Sequence, residues 1–243
     1  MSGNIEVKIY ETPEKVANAF AKELFRIISE STQKRFDIAL SGGETPKLIY
    51  QFLSSKYQDM IPWHRLHFWW GDERCVHPDD DESNYGNADL YLFSEIAIPK
   101  ENIHRIKGEA DPETEANSYS IQLQKELNNR NGWPVFDVIY LGMGKDGHTA
   151  SIFPDQMELL ESEKICEVAT HPETGQKRIT LTGKVLNNAN RVYFLVTGKS
   201  KAKRVSQIMN NLKKAKKFPA SYISPQNGDL YWYLDEAAAE KIS

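Results

Sequence analysis

Short apolar runs alternate along this chain with stretches in which apolar residues recur every three or four positions. Ile5 to Tyr10 alternates apolar and polar residues, as an edge strand does. Thr12 then offers a capping oxygen and Pro13 sits at a first helical position, followed by Val16, Phe20, Leu24, Ile27 and Ile28 on one helical face. Phe36 to Leu40 reads as a buried strand that enters the tight loop Ser41-Gly42-Gly43, after which Thr45-Pro46 repeats the cap-plus-proline signature and opens a helix through Tyr57. Leu66 to Trp70 is a further buried strand, expected to run into a polar loop from Gly71 to Gly86. Asp111-Pro112 starts a long helix with Glu113 and Glu115 in its first turn, where they suit the helix dipole. Phe136 to Leu141, Arg191 to Thr197 and Asp229 to Leu234 are the remaining strands; Gly198 precedes a lysine-rich helix and Asp235 caps a short alanine-rich one.

Apolar strands separated by helices predict an α/β fold, a mostly parallel open sheet covered by helices on both faces. Without repeat, low-complexity tract or linker, the expectation is a single domain over residues 1–243. Three strands end in glycine-rich or charged loops, and ligands of such sheets collect at carboxyl ends of strands. That puts Ser41 to Thr45, Gly71 to Arg74 and Gly142 to Ser151 on one rim.

A formal net charge of −4 argues against a nucleic-acid binder. Cys75 and Cys166 show no ligand spacing and read as reduced thiols. The polar amino terminus reads as no signal peptide, and no apolar run is long enough to span a membrane, so the cytoplasm is the expected compartment.

Four segments carry chemistry. In LSGGETP, paired glycines let the backbone approach a ligand, and the free N–H groups of the following helix favour an anion such as phosphate; the bland alternative is an ordinary strand-to-helix turn. In YLGMGKDGHTASIFP, Asp146 stands two residues before His148 in a glycine-bounded turn. A carboxylate there fixes the imidazole tautomer, and an ordinary imidazole pKa of about 6.5 suits general-base work. His64, His67, His77, His104 and His171 have no comparable setting. Asp72, Glu73 and Arg74 follow a buried strand, so Arg74 is available to an oxyanion or phosphate. The acidic run Asp79 to Glu82 reads as a solvated loop and not as a metal site. Lysines after Gly198 oppose the helix dipole, a cost that a bound anion would explain; Lys199, Lys203, Arg204 and the lysines from Lys213 to Lys217 read as a solvated face. Trp69, Trp70 and Trp232 read as packing.

Taken in order, SGGETP, DERCV with SNYG, GMGKDGHTASIFP, RITLT, GKSKA and FPAS resemble the 6-phosphogluconolactonase family, within a wider group that includes glucosamine-6-phosphate deaminase and ribose-5-phosphate isomerase. The resemblance covers nearly the whole chain. It implies a Rossmann-like parallel sheet and hydrolysis of 6-phospho-D-glucono-1,5-lactone, the second step of the oxidative pentose phosphate pathway, with no metal or organic cofactor. The deaminases typically follow DE with tyrosine and GH with an IAFNEP-like run; Arg74 and Thr149 to Pro154 match the lactonases instead. Lys184, after RITLTG, is a local departure from the pattern.

The expected assignment is His148 as base, Asp146 as its orienting partner and Arg74 as an oxyanion donor. Phosphate is expected on Ser41, Gly42, Gly43 and Thr45, with Asp72, Arg178 and Lys201 completing the site. A small phosphorylated sugar lactone is the expected partner, with no nucleic acid or membrane, and the chain is expected as a monomer or small homo-oligomer. An amino-sugar phosphate deaminase or isomerase is the rival reading; a non-enzymatic sugar-phosphate sensor would call for a DNA-binding segment that the sequence does not display.

Overall fold

The computed structural model describes residues 4–242, and in it every long apolar run is a strand. Strand β1 (Ile5–Tyr10) leads to α1 (Pro13–Glu30), where Thr12 Oγ1 accepts from the Lys15 N–H at 3.3 Å and Pro13 falls in the first turn, where a missing N–H costs little. The apolar stripe of α1 is buried, each such side chain contributing about 1.5–3 kcal/mol. Strand β2 (Phe36–Leu40) is buried throughout. Helix α2 (Glu44–Lys56) is capped not by Thr45 but by Gly43, whose φ of 111° belongs to glycine. Thr45 falls inside the first turn, and its Oγ1 meets Thr197 Oγ1 at 3.0 Å.

Strand β3 (Leu66–Trp70) is followed not by a continuous polar loop but by β4 (Asp72–Arg74), and Ser83 caps α3 (Asn84–Tyr91). Asp111 caps α4 (Pro112–Glu126), accepting from the Thr114 N–H at 3.0 Å. A hairpin of β5 (Asn128–Arg130) and β6 (Trp133–Val135) precedes β7 (Val138–Leu141). Strands β8 (Cys166–Thr170) and β9 (Lys177–Leu181) lead through α5 (Gly183–Leu186) to β10 (Arg191–Val196). Lys184, the local departure, pairs with Glu163 and lies 5.5 Å from the Trp133 ring centroid. Helix α6 (Ala202–Met209), β11 (Asp229–Asp235) and α7 (Glu236–Ala239) complete the order, with Asp235 capping α7 by accepting from the Ala238 N–H at 2.8 Å.

Six strands form one parallel sheet in the order β1-β11-β10-β7-β2-β3. Phe20 of α1 packs on Tyr140, Tyr193 and Tyr233 of one face, while Phe194 and Trp232 stack on the opposite face. Trp69, Trp70 and Trp232 are core residues, as the sequence suggests. Strand β2 leads outward to β3 in one direction, and β7 leads to β10 and then β11 in the other. The order therefore reverses between β2 and β7, where ligands of open α/β sheets bind. Those two strands pair only at Ile38–Val138 and Ala39–Ile139, so their carboxyl ends are unpaired and a crevice opens there. A separate antiparallel sheet, β4-β9-β8, stands over that end. Among the described residues no helix is long and apolar enough to cross a membrane.

Candidate active site

The loop after β2 is held from below. Tyr140 donates its hydroxyl to Tyr50 at 3.0 Å, and Tyr50 donates to the Ser41 carbonyl at 3.1 Å, a buried chain that fixes the start of Ser41-Gly42-Gly43. From the side, Asn84 donates to the Asp72 carbonyl at 2.9 Å and presses against Gly42. A β-carbon at Gly42 would lie 1.7 Å from Asn84 Oδ1, so any side chain here would push Asn84 off the Asp72 carbonyl.

The loop after β7 folds back on itself. The Gly147 N–H donates to the Gly144 carbonyl at 3.1 Å, and the Gly144 N–H to the His148 carbonyl at 2.9 Å. This turn brings Asp146 Oδ1 within 2.7 Å of His148 Nδ1 and 3.1 Å of the His148 N–H. Burial acts to raise the Asp146 carboxyl, but hydrogen bonding and the charge of His148 outweigh it and hold the group at about 2. Asp146 is therefore a carboxylate at neutral pH, and it selects the tautomer with hydrogen on Nδ1. His148 Nε2 then has no protein partner among the described residues, and the ring, tilted against Phe153 at 4.8 Å, lines a cleft.

Strands β4 and β9 supply the cations. Their register sets Asp72 opposite Thr180 and Arg74 opposite Arg178. Like charges directly across a ladder are destabilising, and no ion pair relieves these two among the described residues; their partners are neutral. Arg74 donates to the Glu82 carbonyl at 2.6 Å, and its buried Nε is without a partner among the described residues. Arg178 donates Nε to Gln176 at 3.2 Å and is only 9% exposed. Burial, then the charge of Arg74, lowers the Arg178 pKa. Burial likewise lowers that of Lys201, which ends the turn before α6. Unpaired, desolvated cations around one cavity mark a place where an anion would restore lost charge stabilisation.

One cleft of about 170 Å³ brings Ser41, Gly42, Asp72, Arg74, His148, Arg178 and Lys201 together. Three residues expected in the site do not line it. Asp146 acts through His148, Thr45 is turned to Thr197, and Gly43 serves as the exposed cap of α2. Asp72 is occupied by structure, its Oδ2 accepting from Ser151 Oγ at 2.7 Å. Lys199 turns outward to Glu240 at 3.2 Å. Gly142, Met143, Gly144 and Ala150 also line the cleft; the sequence put them on the rim within Gly142 to Ser151 but did not assign them to the site. Ala150 holds φ at 47°, an uncommon conformation for a residue with a β-carbon, imposed by the Thr149–Ile152 bridge. Glycine spacing hinted at Gly142 and Gly144; nothing local marks Ala150. Among the described residues no group of three or more His, Cys, Asp or Glu side chains is arranged to hold a metal ion, and the run Asp79 to Glu82 is exposed.

Comparison with known proteins agrees with this geometry. Residues 11–232 match the model of the family described as glucosamine-6-phosphate isomerases/6-phosphogluconolactonase. The chain is 44% identical over 234 residues to the 6-phosphogluconolactonase of Haemophilus influenzae, covering 96% of this chain and 98% of that one. It is 43% identical to the 6-phosphogluconolactonase of Aggregatibacter actinomycetemcomitans over 94% of each chain. The solved 6-phosphogluconolactonase of Trypanosoma brucei superposes with a TM-score of 0.90 at 30% identity, covering 100% of both chains. The chain belongs to the glucosamine-6-phosphate isomerase/6-phosphogluconolactonase family.

Proposed function

We propose that this protein hydrolyses 6-phospho-D-glucono-1,5-lactone to 6-phospho-D-gluconate, the second step of the oxidative pentose phosphate pathway. The observation that carries the reading is an imidazole oriented by a carboxylate, facing a cleft whose cations, Arg74, Arg178 and Lys201, form no ion pair among the described residues. His148 Nε2 takes a proton from water as the water oxygen attacks the lactone carbonyl carbon. Arg74 or backbone N–H groups of the glycine loop receive the oxyanion. The carbon–ring-oxygen bond then breaks, and the ring oxygen leaves with the proton returned by His148. The phosphate rests on Ser41 and Gly42, with Arg178 and Lys201 neutralising it. A positioned base supplies about 10²–10⁴ in rate and one oxyanion donor about 10²–10³. For an activated ester those two are enough, with no covalent nucleophile and no metal or organic cofactor in the steps as written. The same proposal makes residues 1–243 one domain, working in the cytoplasm without nucleic acid or membrane.

The test follows 6-phosphogluconate formation by the full chain. His148→Ala lowers kcat at least about a hundredfold while the protein stays folded. Lys201→Ala raises KM for the phosphorylated lactone and leaves an unphosphorylated lactone unaffected. Near-normal turnover in His148→Ala removes the base assignment; ammonia released from glucosamine 6-phosphate replaces the lactonase reading with a deaminase.

A further inference from the structure

We infer that Asp235, with Thr197 on the opposite side, is a positioning residue for the substrate phosphate: the two fix the turn that aims Lys201 into the cleft. They have this role only if Lys201 meets the phosphate, as proposed for it.

Lys201 lines the cleft, and no ion pair among the described residues holds its ammonium. The aim of its side chain is therefore set by its backbone. That backbone belongs to the short turn Lys199–Lys201, which leaves β10 through Thr197 and Gly198. The Lys201 N–H donates to the Gly198 carbonyl at 3.0 Å, so Lys201 follows wherever Gly198 lies. A β-carbon at Gly198 would meet nothing within 4 Å, so close packing does not place this residue. Asp235 does. Strand β11 lies beside β10 with Leu234 level with Val196, which puts Asp235 next to the outgoing chain. Its Oδ1 and Oδ2 accept from the Gly198 N–H at 2.9 and 3.0 Å. On the other side Thr197 Oγ1 meets Thr45 Oγ1 at 3.0 Å and ties the same chain to the first turn of α2.

Capping α7 does not by itself call for an aspartate here. Helix α7 has four residues, and a serine caps about as well. The Asp235 carboxyl is buried and has no cationic partner among the described residues, so it has given up hydration that a serine would not lose. What aspartate adds is reach. One further atom carries its oxygens across to Gly198 while Oδ1 still accepts from the Ala238 N–H at 2.8 Å. Hydrogen bonds to a charged acceptor are the stronger kind, as suits a peptide that must hold still while an anion docks three residues on. Lys199 in the same turn is drawn outward to Glu240 at 3.2 Å, so the chain that follows β11 grips the turn at a second point.

The test reads KM for 6-phospho-D-glucono-1,5-lactone and the competitive inhibition constant of inorganic phosphate, on the full chain. Asp235→Ser keeps the α7 cap and leaves the Gly198 N–H without its acceptor. It is expected to raise both constants about tenfold, with kcat within about twofold of wild type. Thr197→Val removes one hydroxyl on the side away from α7 and is expected to raise both about threefold. In a Lys201→Ala background neither substitution adds anything, because no ammonium is left to aim. A wild-type KM in either single variant overturns the inference, and so does an effect that persists undiminished without Lys201, which marks a merely structural role. In those cases Lys201→Ala still raises KM and the phosphate assignment stands. A Lys201→Ala protein with wild-type KM and phosphate inhibition overturns that assignment and the inference together.

Discussion

A β-carbon at position 144 would lie 2.1 Å from His148 Nδ1 and 2.4 Å from Asp146 Oδ1, closer than atoms can approach. The second glycine of GMGKDGH is thus the space into which the histidine–aspartate pair folds. Gly144→Ala is expected to keep the fold but displace the imidazole, lowering kcat about a hundredfold, as a misplaced base does; unfolding curves and turnover together check it. Asp146 makes its own prediction. Its pKa in the folded protein is below the ordinary carboxylate value, so its contribution to stability is complete above about pH 4 and fades as the pH falls towards 2. Unfolding free energy measured between those limits should lose part of its slope in Asp146→Asn. Asp146, His148 and the paired glycines were all legible as residue types. What Gly144 is for was not, because the reason is a through-space contact with a neighbour in the same turn.

At the scale of elements, β4 is the piece that local pattern could not disclose. Three polar residues have no periodicity, and Asp-Glu-Arg in a polar stretch reads as loop. Pairing with β9 makes it a strand and sets Arg74 against Arg178. Glu73 anchors the arrangement: its carboxylate accepts from the N–H groups of Arg74, Asn84 and Tyr85, each at 2.8 Å, tying β4 to the start of α3. Glu73→Ala leaves these buried donors without an acceptor, at a cost of about 3 kcal/mol. The melting temperature should fall by roughly 6–12 °C, with KM rising as Arg74 and Asn84 lose their register. Differential scanning fluorimetry and steady-state kinetics read both. Helices α1, α4 and α7, by contrast, start where Thr12, Asp111 and Asp235 promised, because an N-cap is satisfied by its own first turn. Thr45 shows the limit of that rule: Gly43 reaches a conformation threonine avoids, and takes the cap.

Across the whole molecule, buried side chains from β1-side helix α1 to the β8–β9 strands form one continuous hydrophobic cluster. A shared core of this kind predicts one cooperative unfolding transition, with calorimetric and van't Hoff enthalpies in agreement; two resolved transitions would count against a single domain. The order of apolar runs sufficed for the α/β class, the parallel sheet and the rim of strand ends, because periodicity and capping act over a few neighbouring residues. Family membership was likewise legible, from motifs in sequence order. Which cations share the cleft, why Thr45 and Gly43 do not line it, and why Ala150 does were decided only by tertiary structure. Those facts depend on strand pairing and on contacts between segments remote along the chain, and no local pattern encodes a distance.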